Sequence, residues 1–216
     1  MDTGMMDVGA AASRVAPRSG HSVLALAGSL RRGSFNGLLL RAARDVAPGS
    51  MSVELCDSLE SIPLFNEDIE AAQKHGPEPV LRLRRRVRAA DGVVIATPEY
   101  NQSMPGVLKN LIDWLSRPGP DEVLAGKPVA VMGATSGTWG TRLAQHALRQ
   151  TLAAVGARVM PEPALYVRNA GALFDGDGTL ADSATRAQLG TLMTAFGEWI
   201  DLAGPRINPG AAAARA

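Results

Sequence analysis

Cysteine is almost missing: Cys56 is the only one among 216 residues. That excludes an internal disulfide framework and a cysteine-rich zinc site, and it is compatible with a reducing cytoplasm. A strong charge of either sign is missing as well. The 22 lysines and arginines are matched by 21 aspartates and glutamates, a net +1, which argues against a dedicated nucleic-acid surface. No apolar run approaches the ~20 residues needed to cross a bilayer. The opening stretch, MDTGMMDVGAAASRVAPRSG, places Asp2 and Asp7 before any basic residue and has no long apolar core, so it does not read as a signal peptide. Its Ala, Gly and Ser content predicts a flexible tail over 1–20, and the closing stretch, 204–216, reads the same way.

Several motifs are also absent. Neither the Gly-rich dinucleotide fingerprint nor a Walker loop is present. His21, His75 and His146 have no metal-ligand spacing with acidic neighbours, so no metal site is expected. The arginine-rich run Arg82–Arg88 lacks interleaved aromatics and reads as a solvated or subunit-bridging helix face. FDGDG at 174–178 lacks the later ligands of a calcium loop and reads as a turn. Cys56 ends an apolar run, where a free cysteine acts as a small hydrophobe.

What the chain does contain is an alternation of short apolar runs and helical patterns. Strands are predicted at 22–28, 51–56, 92–97, 127–134 and 158–160. Helices are predicted at 34–46, 79–91, 105–116, 138–155 and 183–202. A βαβαβαβαβα order requires helical crossovers, hence a parallel sheet covered on both faces. The expected fold is α/β and flavodoxin-like: a three-layer sandwich with five strands in the order 2-1-3-4-5, forming one domain over 21–203. In such a sheet ligands bind beyond the carboxyl ends of the strands, at the switch point between the first and third.

Three loops fall at that edge. The first, GSLRRGSFN at 28–36, joins a strand to a helix start, where free amides and the positive helix end favour an anion. Ser29, Ser34 and Asn36 can add neutral donors and Arg31 a charged fork. Equally, Ser34 can simply cap the helix while the arginines stay solvated. In the second loop, Pro98-Glu99-Tyr100-Asn101, a planar ring can lie against Tyr100, one of only two tyrosines. A plain turn would explain Asn101 but not Glu99 or Tyr100. The third loop, Ser136-Gly137-Thr138-Trp139-Gly140, allows close approach of its backbone to a ligand. Trp139 can cover a flat ring or pack into the core.

These loops, in this order, resemble the NADPH-dependent FMN reductase family. The likeness rests on GSLRRGSFN, PEYNQSMPGVLKNLIDW and GKPVAVMGATSGTWGTRLAQHALRQTL, and it runs from about His21 to about Ile200. Within the family the chain is most similar to the quinone, chromate and azo-dye reductases. The resemblance implies non-covalent FMN, with Ser29, Arg31, Ser34, Phe35 and Asn36 at its phosphate end. It implies Pro98, Glu99, Tyr100 and Asn101 along the isoalloxazine ring, and Ser136 and Gly137 in the third binding loop. It also implies NADPH as hydride donor, a small-molecule electron acceptor, a cytoplasmic homodimer or homotetramer, and no obligatory side-chain acid or base. The third loop departs from the family's more glycine-rich form, so that Trp139 narrows the cleft or alters the choice of acceptor. The subunit contact is expected near Leu108–Trp114, unless Trp114 is wholly intrachain core. The alternative function is an electron-carrier module of flavodoxin type, against which the near-neutral charge counts.

Overall fold

A computed structural model of the chain describes residues 20–56, 59–118 and 122–203. The two stretches expected to be tails lie outside the described residues, Gly20 excepted. The elements in chain order are β1 (His21–Ala27), α1 (Phe35–Asp45), β2 (Met51–Leu55), α2 (Glu67–Ala72), α3 (Glu78–Ala89) and β3 (Gly92–Ala96). Then come α4 (Gly106–Leu115), β4 (Pro128–Ala134), α5 (Arg142–Ala154), β5 (Arg158–Val159), β6 (Leu165–Val167) and α6 (Ser183–Ala203).

The sheet is parallel throughout and runs β2-β1-β3-β4-β5, the expected order. It has six strands rather than five, because the last position is split. β5 pairs with Pro128 and Val129 at the start of β4, and β6 pairs with Met132–Ala134 at its end. Pro161 and Pro163 lie between β5 and β6 and have no N–H to give to a ladder, which interrupts the pairing between them.

Alternation along the strands fills both faces. Val23 and Ala25 of β1 join Leu39, Leu189, Met193 and Phe196 under α1 and α6. Leu24 and Leu26 point the other way, into Leu83, Leu111, Ile112 and Leu148 of α3, α4 and α5. Burial on two faces is why these strands read as unbroken apolar runs.

Leu108, Leu111, Ile112, Trp114 and Leu115 are buried within the chain, so Trp114 is intrachain core. The outward Lys109 pairs with Asp113 one turn on. One expectation about α3 needs correction. The arginine run is not a uniformly solvated face. Arg84 is 2% exposed; it donates to the Trp114 and His75 carbonyls and pairs with Glu70 of α2. Arg117 holds the same Glu70 at 2.8 Å, so one carboxylate joins two guanidiniums. Arg86 reaches Glu54, the Leu55 carbonyl and Cys56 Sγ.

This network fastens α2, an element the strand–helix alternation did not predict. Its sequence signal is Asn66, which caps the helix by accepting from the Asp68 amide, followed by Glu67, Asp68 and Glu70 in the first turn. The FDGDG segment is a turn, closed by bonds between Asp175 and Thr179 and between Asp175 and Gly178.

Candidate active site

β1, β3 and β4 end side by side, and the backbone links continue past the strands. Gly28 N–H donates to the Ala96 carbonyl at 2.8 Å, and Thr97 N–H to the Met132 carbonyl at 2.9 Å. Two glycines make the crowding possible. A Cβ on Gly28 would stand 2.5 Å from a Leu108 methyl. A Cβ on Gly133 would stand 2.3 Å from the Thr97 carbonyl and 2.1 Å from Thr141 Oγ1. Both contacts are closer than real Cβ atoms tolerate, so the edge packs tightly only with glycine at these positions.

The first loop is an anion cradle at the start of α1. Ser34 is the N-cap and accepts from the Asn36 amide at 3.2 Å. The first-turn amides of Phe35 and Gly37 have no partner among the described residues, and no acid stands in that turn. Ser29 is half-buried, and its Oγ accepts from the Arg31 amide. The exposed Arg31 guanidinium lies 5.7 Å from the Phe35 ring centroid, which keeps a cation beside the open amides.

Asn36 is tied to the neighbouring strand. It is 2% exposed, and its carboxamide is spent on the backbone of Ala134: Nδ2 donates to the carbonyl and Oδ1 accepts from the amide, each at 2.9 Å. A buried group committed on both sides ties the start of α1 to the end of β4.

The second loop resolves the puzzle of Glu99. Its Oε2 accepts from the amides of Leu143 at 2.9 Å and Ala144 at 3.1 Å, in the first turn of α5. That helix has no acid in its own first turn, and its N-cap, Thr141, makes no side-chain cap. Glu99 therefore caps α5 from a neighbouring loop, which joins the second loop to the third. Tyr100 and Ser103 exchange backbone bonds at 3.0 Å around Asn101 (φ 49°) and Gln102 (φ 64°). Two positive φ values in a row make a type I′ turn, a place suited to asparagine. Pro98 lies against Gly28, and Tyr100 is 53% exposed at the tip.

The third loop is longer than expected, because α5 begins at Arg142 rather than near Thr138. It is fastened from behind by residues that sequence reading missed. Asn169 N–H donates to the Gly137 carbonyl, Ala170 N–H to the Thr135 carbonyl, and Thr135 N–H to the Val167 carbonyl. These ties depend on β6, whose three residues give too short a pattern to detect. Ser136 and Gly137 are exposed. Trp139 is 79% exposed, so core packing is excluded for it.

The edge thus joins an anion cradle to two aromatic tips. A family model for NADPH-dependent FMN reductase matches residues 21–172, across all three loops. The chain belongs to the NADPH-dependent FMN reductase family. It is 44% identical over 178 residues to an NAD(P)H-dependent FMN reductase of Pseudomonas aeruginosa, covering 82% of this chain and 94% of that one. It is 45% identical over 182 residues to a quinone reductase of Escherichia coli K12, again covering 82% and 94%. Among solved structures, the flavoenzyme NAD(P)H:(acceptor) oxidoreductase of Paracoccus denitrificans superposes with a TM-score of 0.78. It has 36% identity, covering 86% of this chain and all of that one.

FMN, the family's cofactor, fits the residues present. Its phosphate is a dianion suited to unpaired helix-start amides beside an arginine. Its flat ring system is suited to the exposed Tyr100. Among the described residues no helix is long and apolar enough to cross a membrane.

Proposed function

We propose that this reductase holds FMN non-covalently across the three loops, takes hydride from NADPH and delivers it to a quinone or another small acceptor by a ping-pong mechanism. When bound, FMN would supply two-electron redox chemistry between the nicotinamide and the acceptor, with the remaining proton of quinone reduction coming from solvent. The chain binds and orients. Arg31, Ser29, Ser34 and the amides of Phe35 and Gly37 hold the phosphate, and Asn36 braces them through Ala134. Phe35 keeps Arg31 in place. Pro98, Tyr100 and Asn101 border the ring, with Glu99 setting their distance from the third loop. Ser136 and Gly137 offer backbone at the ring's polar edge.

One observation carries this reading. An acid-free helix start with two unpaired amides sits at the same sheet edge as an exposed tyrosine, on loops that Asn36 and Glu99 clamp to a common frame.

The folded unit is 21–203, acting in the cytoplasm as a homodimer or homotetramer. Compatibility with a reducing compartment rests on the single Cys56. For assembly, the exposed Leu30 and Leu64 are available, since the apolar face of α4 is used within the chain.

Steady-state kinetics test the mechanism. Nicotinamide and acceptor both need the same ring face, so double-reciprocal plots at several quinone concentrations are expected to be parallel. Intersecting lines would mean that donor and acceptor fit together over the ring. Steady NADPH oxidation with a quinone and no second protein separates this reading from an electron-carrier module.

A further inference from the structure

The third loop carries a group of side chains that FMN binding does not use. Trp139 is 79% exposed, yet its loop is not a free tip. Asn169 and Ala170 hold the loop's start, and Glu99 holds the helix that follows it. Gly140, next to Trp139, has φ +75° and packs against Tyr166: a Cβ there would stand 3.1 Å from the Tyr166 Cβ and 3.7 Å from Arg168 Cγ. An indole displayed on fastened backbone loses little entropy when a ring stacks on it.

Two arginines lie close to the same stretch of loop, around Tyr166 and Gly140. The Arg142 guanidinium lies 5.6 Å from the Tyr166 ring centroid, and the Arg168 stem lies beside Gly140. Both side chains are exposed, and neither has an acidic partner among the described residues. Glu99, which reaches the start of α5, is committed to the Leu143 and Ala144 amides. Arg84, Arg86 and Arg117, by contrast, each pair with a carboxylate.

The geometry points to a binding lip, formed by Trp139, Arg142 and Arg168, for a flat aromatic ring that carries an anionic group. The inference rests on the reductase reading and deepens it. Two reactants have this chemistry: a quinone acceptor with a sulfonate, carboxylate or ionised hydroxyl, and the adenosine 2′-phosphate end of NADPH. Stacking on the indole supplies affinity for the ring, and the two guanidiniums select for the charge.

The test uses the full FMN-loaded chain without NADPH and reads tryptophan emission. The probes are 1,4-naphthoquinone-2-sulfonate, neutral 1,4-naphthoquinone and adenosine 2′-monophosphate. W139F isolates this indole from Trp114 and Trp199. At least one anionic probe is expected to change the emission of the wild type saturably and that of W139F not at all. Its affinity should fall about three- to tenfold in the double variant R142A/R168A and recover in part in R142K/R168K. Neutral naphthoquinone should not distinguish the wild type from the double variant.

Saturation by the sulfonate alone assigns the lip to the acceptor, and by the 2′-phosphate alone to the donor. Saturation by both makes it a shared lip. The inference is overturned if neither anionic probe reports through Trp139, or if charged and neutral quinones respond alike to the double variant. It is also overturned if light scattering shows that W139A breaks up the oligomer, since Trp139 would then be covered by a second copy. Failure of the reductase reading looks different: the purified chain would retain no FMN.

Discussion

Trp114 and Trp139 stand on loops and helices of the same sheet, yet one is sealed and the other displayed. Trp114 is fully buried, its Nε1 donating to the Pro63 carbonyl at 2.9 Å and its ring edge-on to Phe65. Around it Arg84 and Arg117 share Glu70. Trp139 is 79% exposed, in a loop whose neighbours Arg142 and Arg168 have no acidic partner among the described residues. The same residue types, indole and guanidinium, thus build the fold in one region and stay open at the sheet edge in the other. Residue type does not decide between the roles; saturation of the side chain's bonding capacity does.

The largest effect should come from erasing the sealed side of this contrast. Trp114→Ala removes a buried aromatic and leaves a cavity, and should lower unfolding stability by about 3–5 kcal/mol in urea titration. Trp139→Ala should stay within about 0.5 kcal/mol of the wild type. Comparable losses in both variants would break the comparison.

The next effect sharpens the open side. Arg31→Ala should leave urea stability nearly unchanged but weaken FMN. A charged hydrogen bond of about 1.5–3 kcal/mol corresponds to roughly one to two decades of affinity. Riboflavin, which lacks the phosphate, should bind both proteins alike in the same fluorescence titration. Equal FMN affinities would remove Arg31 from the cradle.

Glu99 lies between the two regimes, a bonded residue inside the ligand edge. Glu99→Ala deprives two α5 amides of their acceptor and should cost about 1 kcal/mol of stability. It should also weaken FMN, because the second and third loops lose their clamp. Glu99→Gln keeps an acceptor oxygen and should recover most of both. If Gln behaves like Ala in stability and FMN affinity, the clamp depends on charge rather than geometry.

How legible this was in the sequence follows the same contrast. The strand order and the three loops could be read because buried strands are unbroken apolar runs and helix starts carry capping residues. The roles of Asn36 and Glu99 could not, because each bonds to backbone 98 and 44–45 positions away. Backbone partners leave no trace in residue type. β6 escaped because three residues cannot establish a period, and with it escaped the anchoring of the third loop by Asn169. Arg84 looked solvated because its partners are mostly carbonyls.

The smallest expected effect is one of pH, at a site remote from both tryptophans. Asp182 is held below its ordinary 3.8 by hydrogen bonds from Thr185, hydroxyl first and amide second, at the start of α6. A carboxyl lowered by folding adds stability above its unfolded value, and that contribution is lost as pH falls through the folded value. The stability gap between the wild type and Asp182→Asn should therefore be constant at neutral pH and close only below 3.8. A gap that closes above that value would mean Asp182 is not lowered by the cap.

The central claim is that the open edge holds one FMN, used in turn by NADPH and by an acceptor. Anaerobic addition of one equivalent of NADPH to the FMN-loaded protein tests it most directly, followed by visible absorbance. The account predicts that the flavin bands bleach with no acceptor present, and that a quinone added afterwards restores them in a separate step. Bands that stay unchanged until NADPH and quinone are present together would contradict it.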